Sequence, residues 1–202
     1  MPEALKRLIN SIGYLPGIGE NRATKLAFFL LNANQNFIET LSENILNIKG
    51  KIDFCNSCNG LTDSGKEVCN ICKSTSRNHT TIAVVEEYLD MLTVEQSGGY
   101  KGIYHVLGGA ISPINGVFIS DLSFEKLFER IKDSDEDIEL ILATNPNIEG
   151  EATTNYIKEE VEKRGYKYKT KITRLSRGLS SGYIEYADNI TLMNALKERK
   201  EI

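Results

Sequence analysis

Apolar side chains recur at helical spacing along the first fifty residues. The first set lies three or four positions apart and consists of Leu5, Leu8, Ile9 and Ile12. That spacing predicts one apolar face of a helix, and the same pattern resumes over 23–31 and over 37–48. Between the first two helices, the segment Leu15-Pro16-Gly17-Ile18-Gly19 predicts a tight turn, because a proline and two glycines lie close together.

The pattern changes twice further along the chain. Residues 54–79 are rich in Cys, Asn and Ser and contain little that could form a core. From residue 80 onward, short β-branched runs alternate with helical patterns. Strands are predicted over 81–85, 103–107, 139–144 and 169–175, and helices over 89–96, 122–131 and 151–163. This alternation predicts a mainly parallel sheet with right-handed crossovers.

Composition supports a folded protein outside the membrane. The 202 residues include 41% apolar and 26% charged side chains, which are globular values. No apolar run approaches the roughly 20 residues that a membrane span needs, and the first residues lack a secretory signal pattern. We therefore expect a cytoplasmic protein. With only two histidines, a histidine-rich zinc protease is excluded.

The formal net charge of −4 is unevenly distributed. Residues 80–202 hold fifteen basic and twenty-one acidic side chains, whereas 1–53 hold six and five. A mildly acidic average therefore does not exclude a nucleic-acid partner, because phosphate binding depends on a local basic face.

All four cysteines lie within eighteen residues, as the pairs Cys55/Cys58 and Cys69/Cys72. Two turns that each present two thiolates predict a tetrahedral zinc site with no open coordination position, hence one structural zinc ion per chain. Its binding energy would fold a segment that lacks a core. Disulfides or redox-active pairs are the alternatives, and iron could occupy the same cage; a reducing cytosol argues against disulfides.

The predicted turn over 15–19 matches a helix-hairpin-helix. Gly17 and Gly19 let the backbone approach a ligand closely, and the free N–H groups that begin the next helix can bind a phosphate oxygen. Arg22 and Lys25 lie in the first turns of that helix and predict additional phosphate contacts. The negative charge of Glu20 disfavours phosphate binding at this turn. Alternatively, the turn is an ordinary connection between two helices.

Acidic side chains follow the predicted strands of the third region. Glu86 ends the first strand, a position at which parallel sheets place their chemistry. In Toprim domains, an Asp-x-Asp after the third strand completes a magnesium site, but here the pair is Asn145-x-Asn147. Two negative charges are missing, so we expect weak magnesium binding at best and no two-metal phosphoryl transfer. Alternatively, Glu149 and Glu151 are helix first-turn acids.

The ordered set of motifs resembles the RecR family of bacterial recombination mediators, from residue 3 to the C-terminus. It comprises the 15–19 turn, both Cys pairs, Ile111-Ser112-Pro113-Ile114-Asn115-Gly116-Val117, and the segment from Ile141 through Asn145-Pro146 to Glu149-Gly150-Glu151-Ala152-Thr153. The resemblance implies an α+β multi-module fold. Its parts are a helix-hairpin-helix domain (1–53), a four-Cys zinc finger (54–79), an α/β Toprim domain (80–175) and a C-terminal oligomerisation segment (176–202).

The same resemblance implies a non-enzymatic function in DNA repair. RecR proteins form ring-like oligomers, commonly tetramers, and act with RecO and RecF to load RecA onto single-stranded DNA at gaps. DNA binding would be independent of sequence, with no small-molecule substrate. The acidic face, with Glu86 and Glu149, is then predicted to dock a basic partner such as RecO. This chain departs from the family at its His-Gly-x-Pro-x-Gly-Gly segment, where it has Ser176-Arg177-Gly178-Leu179-Ser180-Ser181-Gly182. In the family this segment is associated with contacts between subunits, so the departure bears on how the ring closes.

A basic run without acids extends over 163–177. Its members are Lys163, Arg164, Lys167, Lys169, Lys171, Arg174 and Arg177. Along a strand, the side chains at 167, 169 and 171 would share one face. This predicts either a DNA surface or a solvated edge strand protected by lysines.

Two other function classes compete with a DNA-binding mediator. A Toprim-type magnesium-dependent nuclease or primase-like enzyme is opposed by Asn145 and Asn147. A zinc-containing redox or regulatory protein is opposed by the use of both Cys pairs in one cage.

Overall fold

The computed structural model describes residues 1–176 and 183–202, which form two compact units, Met1–Lys51 and Ile52–Ile202. The predicted ring-closure segment therefore lies, except for Ser176, outside the described residues. Within the described ranges, no helix is both long and apolar enough to cross a membrane.

The first unit consists of three helices, α1 (Glu3–Gly13), α2 (Glu20–Asn32) and α3 (Gln35–Asn47). Its small core is formed by Ile9, Ala23 and Ala27, against which Leu5, Ile12 and Ile18 pack. The alanines allow α1 and α2 to approach closely. α3 begins at Gln35, before the predicted start, because the Asn34 side chain accepts a hydrogen bond from the Phe37 N–H at 2.8 Å.

The second unit begins with the cysteine module. A two-stranded antiparallel ribbon pairs β1 (Ile52–Phe54) with β2 (Leu61–Asp63), and the short helix α4 (Asn70–Lys73) follows. Apart from the cysteines themselves, only Val68 and Ile71 pack in this module's hydrophobic cluster.

A five-stranded sheet forms the rest of the unit. Its strands are β3 (Asn78–Val85), β4 (Gly102–Val106), β5 (Ile138–Ala143), β6 (Thr170–Arg174) and β7 (Lys200–Glu201), in the spatial order β4-β3-β5-β6-β7. The first four strands are parallel and β7 is antiparallel to β6, so the predicted mainly parallel sheet is confirmed. The interior strands are apolar on both faces because helices cover both sides.

Four helices complete this unit. They are α5 (Tyr88–Gln96), α6 (Phe124–Lys132), α7 (Ile148–Lys163) and α8 (Asn189–Lys197). α6 and α7 contribute to one core cluster, with Phe124, Phe128 and Ile157, and α5 and α8 contribute to the other, with Val94 and Leu192.

The predicted starts of α7 and β6 are wrong. α7 begins at Ile148 rather than residue 151, because the Asn147 side chain accepts a hydrogen bond from the Gly150 N–H at 2.7 Å and caps the helix. β6 begins at Thr170, so Lys167 and Lys169 precede the strand and do not share a strand face with Lys171. The described part of the C-terminal segment is folded onto the sheet as α8 and β7.

Candidate functional site

The four cysteine sulfur atoms lie within 4.8 Å of one another, as the sequence predicts for a metal cage. Cys55, Cys58 and Cys69 are buried and Cys72 is half-buried. Backbone N–H groups point at the sulfurs: Gly60 donates to Cys58 Sγ at 3.4 Å and Cys69 donates to Cys55 Sγ at 3.3 Å. Such bonds stabilise thiolates over thiols. Four convergent sulfurs with donated N–H bonds are a donor set that can hold a metal ion.

The first Cys turn is joined directly to the sheet. The Val106 N–H of β4 donates to the Cys58 carbonyl at 2.8 Å, and the Asn59 side-chain amide donates to the Val106 carbonyl at 3.1 Å. Asn59 adopts a left-handed conformation with φ of 58°, which Asn tolerates better than most residues. Lys126 of α6 donates to the Asn59 side-chain oxygen at 3.4 Å. Sequence reasoning missed Asn59, although an Asn-Gly pair after a Cys is a turn signal.

The hairpin between α1 and α2 presents its backbone to solvent. Gly17 has a positive φ of 75°, a conformation that favours glycine, and the Ile18 N–H closes the turn onto the Leu15 carbonyl at 3.1 Å. Gly19 precedes α2 and offers no capping side chain, so the first N–H groups of the helix remain available. The structure thus places Gly17 and Gly19 at one surface turn, as predicted.

Two exposed cations accompany this turn. The Arg22 guanidinium donates to the Gly17 carbonyl at 3.4 Å, which holds it beside the turn, and Lys25 lies one turn further along α2. Glu20 is also exposed at the first position of the helix, where its charge opposes an anion.

The polar groups at the carboxyl end of the sheet bind one another rather than leaving a cation site. Glu86 accepts hydrogen bonds from Asn145, from the backbone N–H at 2.9 Å and from the side-chain amide at 2.5 Å. The Asn145 side-chain oxygen accepts from the Ile184 N–H at 3.1 Å, and the Asn147 oxygen caps α7. Glu151 is paired with Arg174 at 2.6 Å. Within residues 1–176 and 183–202, the four cysteines are the only group of three or more His, Cys, Asp or Glu side chains that lie close enough together to hold a metal ion.

Glu86 and Glu149 differ in how far they can meet a partner. Glu86 is 5% exposed, and its burial raises its pKa although the two bonds from Asn145 lower it. Glu149 is half-buried in the first turn of α7. Glu86 can therefore influence a bound partner mainly through its negative charge, whereas the Glu149 side chain is accessible to direct contact with a partner.

Asp90 is a buried acid that sequence reasoning missed. It is 3% exposed at the start of α5, where it accepts a hydrogen bond from the Glu87 N–H at 2.9 Å. The pKa of Asp90 is raised to about 6, mainly by burial and to a lesser extent by the nearby charges of Glu86 and Glu185, which together outweigh the hydrogen bond from Glu87. At neutral pH the ionised Asp90 carboxylate is therefore buried, which lowers the stability of the folded protein.

Asp90→Asn should raise the free energy of unfolding by about 1–3 kcal/mol at pH 8, because Asn keeps an acceptor and removes the charge. The gain should shrink as the pH falls below about 6, since the folded Asp90 is then protonated before the unfolded one. Urea unfolding between pH 5 and pH 8 measures this. Asp121→Asn is the control, because Asp121 accepts a similar N–H bond but is exposed. A gain that stays constant over this pH range would contradict the prediction.

The described part of the basic run is largely paired with acids. Five of its cations form ion pairs: Lys163 with Glu160, Arg164 with Glu125 and Glu160, Lys167 with Glu162, Lys171 with Glu201, and Arg174 with Glu151. Lys169 donates to the carbonyls of Lys132 and Ser134. These contacts favour the solvated surface over the DNA surface for this run; Arg177 lies outside the described residues.

Two family models match the chain. Residues 5–49 match the model described as RecR, helix-hairpin-helix, and residues 80–176 match the Toprim domain. Curated relatives called Recombination protein RecR include one from Lactococcus lactis subsp. lactis, 43% identical over 202 residues, which covers 100% of this chain and 98% of the relative. Another, from Dehalococcoides mccartyi, is 44% identical over 198 residues and covers 98% and 94%.

Proposed function

We infer that this chain, which belongs to the RecR family of recombination proteins, is a non-catalytic DNA-binding mediator of recombinational repair. It acts with RecO and RecF in the cytoplasm to promote RecA loading on single-stranded DNA at gaps. The observation that carries the proposal is the exposed hairpin turn, with free helix N–H groups beside Arg22 and Lys25, in a chain of this family. Such a turn binds phosphate without reading bases.

Replacing both Arg22 and Lys25 by Ala should weaken DNA binding equally for all sequences. Each lost phosphate contact should flatten the slope of log affinity against log salt by about 0.7 to 0.9. Fluorescence anisotropy at several salt concentrations measures this with single- and double-stranded oligonucleotides.

The matched control replaces Lys163 and Lys167 by Ala. Both ammonium groups are paired with glutamates, so this variant should keep the wild-type slope. If the control flattens the slope and the hairpin variant does not, the DNA site lies in the basic run instead.

The cysteine cage supports structural zinc as the cofactor. Four thiolates are the set that zinc takes in closed structural sites. The residues that would hold the ion are Cys55, Cys58, Cys69 and Cys72, which leave no position open for a substrate. The ion's contribution is therefore to folding.

The second candidate function is a Toprim-type magnesium-dependent nuclease or primase-like enzyme. It is disfavoured because the oxygens of Asn145 and Asn147 accept internal hydrogen bonds and Glu86 is bonded to Asn145. Incubation with magnesium and gapped or supercoiled DNA distinguishes the two functions. Cleavage that disappears in Glu86→Gln would establish the enzyme.

A homo-oligomer is supported by the apolar surface of the first unit. No residue of α3 is fully buried within one chain, and large apolar residues of this unit are exposed. They include Phe29, Leu31, Ile45 and Leu46. An apolar surface of this kind marks an interaction site, and in a ring-forming family a second copy is its proposed partner.

Leu31→Asp combined with Leu46→Asp should reduce the molar mass measured by light scattering, because two charges would have to be buried in the interface. Asn36→Asp is the control, since it adds a charge at an exposed polar position of α3. An unchanged mass in the double variant would place the contact between copies elsewhere.

A further inference from the structure

Two cations on one face of α6 have no carboxylate partner. Lys126 and Arg130 lie four residues apart, which makes them neighbours on the surface of the helix. Both are half-buried, yet neither forms an ion pair with any residue in the ranges 1–176 and 183–202. The helix itself is fixed, because Phe124, Leu127 and Phe128 are buried in the core. A half-buried cation without an anion is unfavourable, so these two charges call for a counter-charge.

Hydrogen bonds direct both side chains toward the cysteine module. The Lys126 ammonium donates to the Asn59 side-chain oxygen at 3.4 Å, and the Asn59 N–H donates to the Cys55 carbonyl at 2.9 Å. Arg130 Nη1 donates to the Tyr104 carbonyl of β4 at 2.7 Å. The two cations therefore lie along the outermost strand of the sheet, to which the first Cys turn is joined.

The buried His105 holds the Arg130 guanidinium without adding a charge. His105 Nε2 lies 2.9 Å from the Ser123 carbonyl and donates to it, so Nδ1 is free to accept from Arg130 Nη1 at 3.4 Å. Burial, followed by the positive charge of Arg130, lowers the pKa of His105 to about 3. The imidazole is therefore neutral, and the positive charge at this place belongs to Arg130 alone.

The charge of Arg130 acts on one of the cysteines. Contacts with Cys58 and Cys69 dominate the pKa of the Cys72 thiol and burial raises it, whereas the positive charge of Arg130 lowers it. Cys72 is the least buried of the four cysteines and lies in the short helix α4, which packs against β4. Arg130 thus favours the thiolate at the cysteine that is most open to water.

A four-thiolate zinc site has an excess of negative charge. Four thiolates around one divalent ion leave two negative charges uncompensated. Three of the four cysteines are buried, so water stabilises this charge only weakly. The N–H groups of Gly60 and Cys69 donate to the sulfurs but carry no net charge. The loaded site and the two cations of α6 therefore each supply what the other lacks.

We propose that Lys126 and Arg130 are positioning residues of the metal site, whose positive charges compensate the loaded four-thiolate cage and slow the loss of its ion. The inference rests on the zinc of the proposed function and adds two residues that do not bind the ion themselves. Residues around the ligands commonly change metal affinity tenfold to a hundredfold. Because the cations come from α6, the cysteine module should hold zinc more tightly in the intact second unit than it would alone.

A nucleic-acid phosphate is the other anion that these cations could bind. It is disfavoured because both positive groups already donate to acceptors of the protein, Lys126 to Asn59 and Arg130 to a backbone carbonyl. The excess negative charge of the loaded cage would also repel a phosphate placed beside it.

Transfer of zinc from the full-length, zinc-loaded protein to an excess of the chelator pyridylazoresorcinol tests the proposal. Arg130→Met should speed zinc release about tenfold or more, and Lys126→Met should speed it by a smaller factor, because its ammonium acts through Asn59. Lys132→Met is the matched control, since it removes an exposed charge from the last turn of the same helix and should leave the rate unchanged.

Arg130→Lys separates charge from structure. Lysine keeps the positive charge, so this variant should release zinc at close to the wild-type rate. A purely structural role would leave it as impaired as Arg130→Met, because an ammonium lacks the planar group that bonds both the Tyr104 carbonyl and the His105 ring. Urea unfolding of each loaded variant checks its fold, and Lys126→Met decides the question if Arg130→Met does not fold.

Each outcome decides a different point. Faster release in Arg130→Met and Lys126→Met, with rescue in Arg130→Lys, supports the proposal. Equal release from the wild type and both Met variants overturns this inference and leaves the zinc site intact, and equal impairment of both Arg130 variants also overturns it. Wild-type protein without bound metal overturns the proposed cofactor and this inference together. A flattened salt slope of DNA binding with unchanged zinc release would assign the cations to nucleic acid instead.

Discussion

Cys69→Ser is expected to release the metal ion and to unfold the cysteine module. Cys69 is buried, its sulfur lies 3.7 Å from Cys58 Sγ, and little besides the cysteines packs in this module. Metal binding contributes about 10–16 kcal/mol to the folding of isolated zinc-finger peptides, so no other interaction of the module can compensate. Elemental analysis should find one zinc ion per wild-type chain and none in the variant, which should also unfold at lower temperature.

The loss should extend into the sheet, because the Val106 N–H donates to the Cys58 carbonyl. Hydrogen exchange at the Val106 amide should therefore accelerate in Cys69→Ser while the helices of the first unit keep their protection. Ser57→Ala is the control, since Ser57 lies between two ligands without providing a sulfur. If Cys69→Ser folds normally without metal, the metal ion has no structural role. If the wild-type protein contains iron instead of zinc, the proposed identity of the ion is wrong.

Gly150→Ala is expected to destabilise the second unit by about 3 kcal/mol or more. A Cβ atom at Gly150 would lie 2.0 Å from the Asn145 carbonyl oxygen and 2.8 Å from Glu86 Oε1. The first contact is with backbone, so α7 would have to move away from the strand end and break the hydrogen bonds between Asn145 and Glu86. Urea unfolding measures the loss.

Gly50→Ala provides the comparison, because an added Cβ would meet no atom within 4 Å and the φ angle is not positive. Its stability should remain within about 1 kcal/mol of wild type. Equal stability of both variants would show that the first turn of α7 can shift freely, and the close approach of Gly150 would then have no structural importance.

Much of the fold could be predicted because it depends on local spacing. A few neighbouring residues are enough to identify each of three features: a Cys pair, the proline–glycine turn and a short β-branched strand. The start of α7 was missed because Gly150 indicates a loop in sequence, whereas its lack of a side chain is what lets the helix approach Asn145. The helix α8 was missed although Leu192, Ala195 and Leu196 have helical spacing and are buried.

The charged surfaces could not be predicted in this way. The run over 163–177 contains no acid, but its cations meet Glu125, Glu151 and Glu201 from other elements. Glu86 was expected at the surface, but Asn145, fifty-nine residues away, binds it in a buried position. Ion pairing and burial depend on the tertiary fold, which residue spacing does not contain.

The hydrogen bond from the Val106 N–H to the Cys58 carbonyl also bears on the lifetime of the protein in a cell. β4 is the outermost strand of its sheet, and the cysteine module occupies hydrogen-bonding groups at its end. An uncovered outer strand is a template for pairing with other chains. Metal starvation should therefore lead to aggregation and proteolysis of the newly made chain, so that the supply of the metal ion would set the amount of the protein rather than the activity of each molecule.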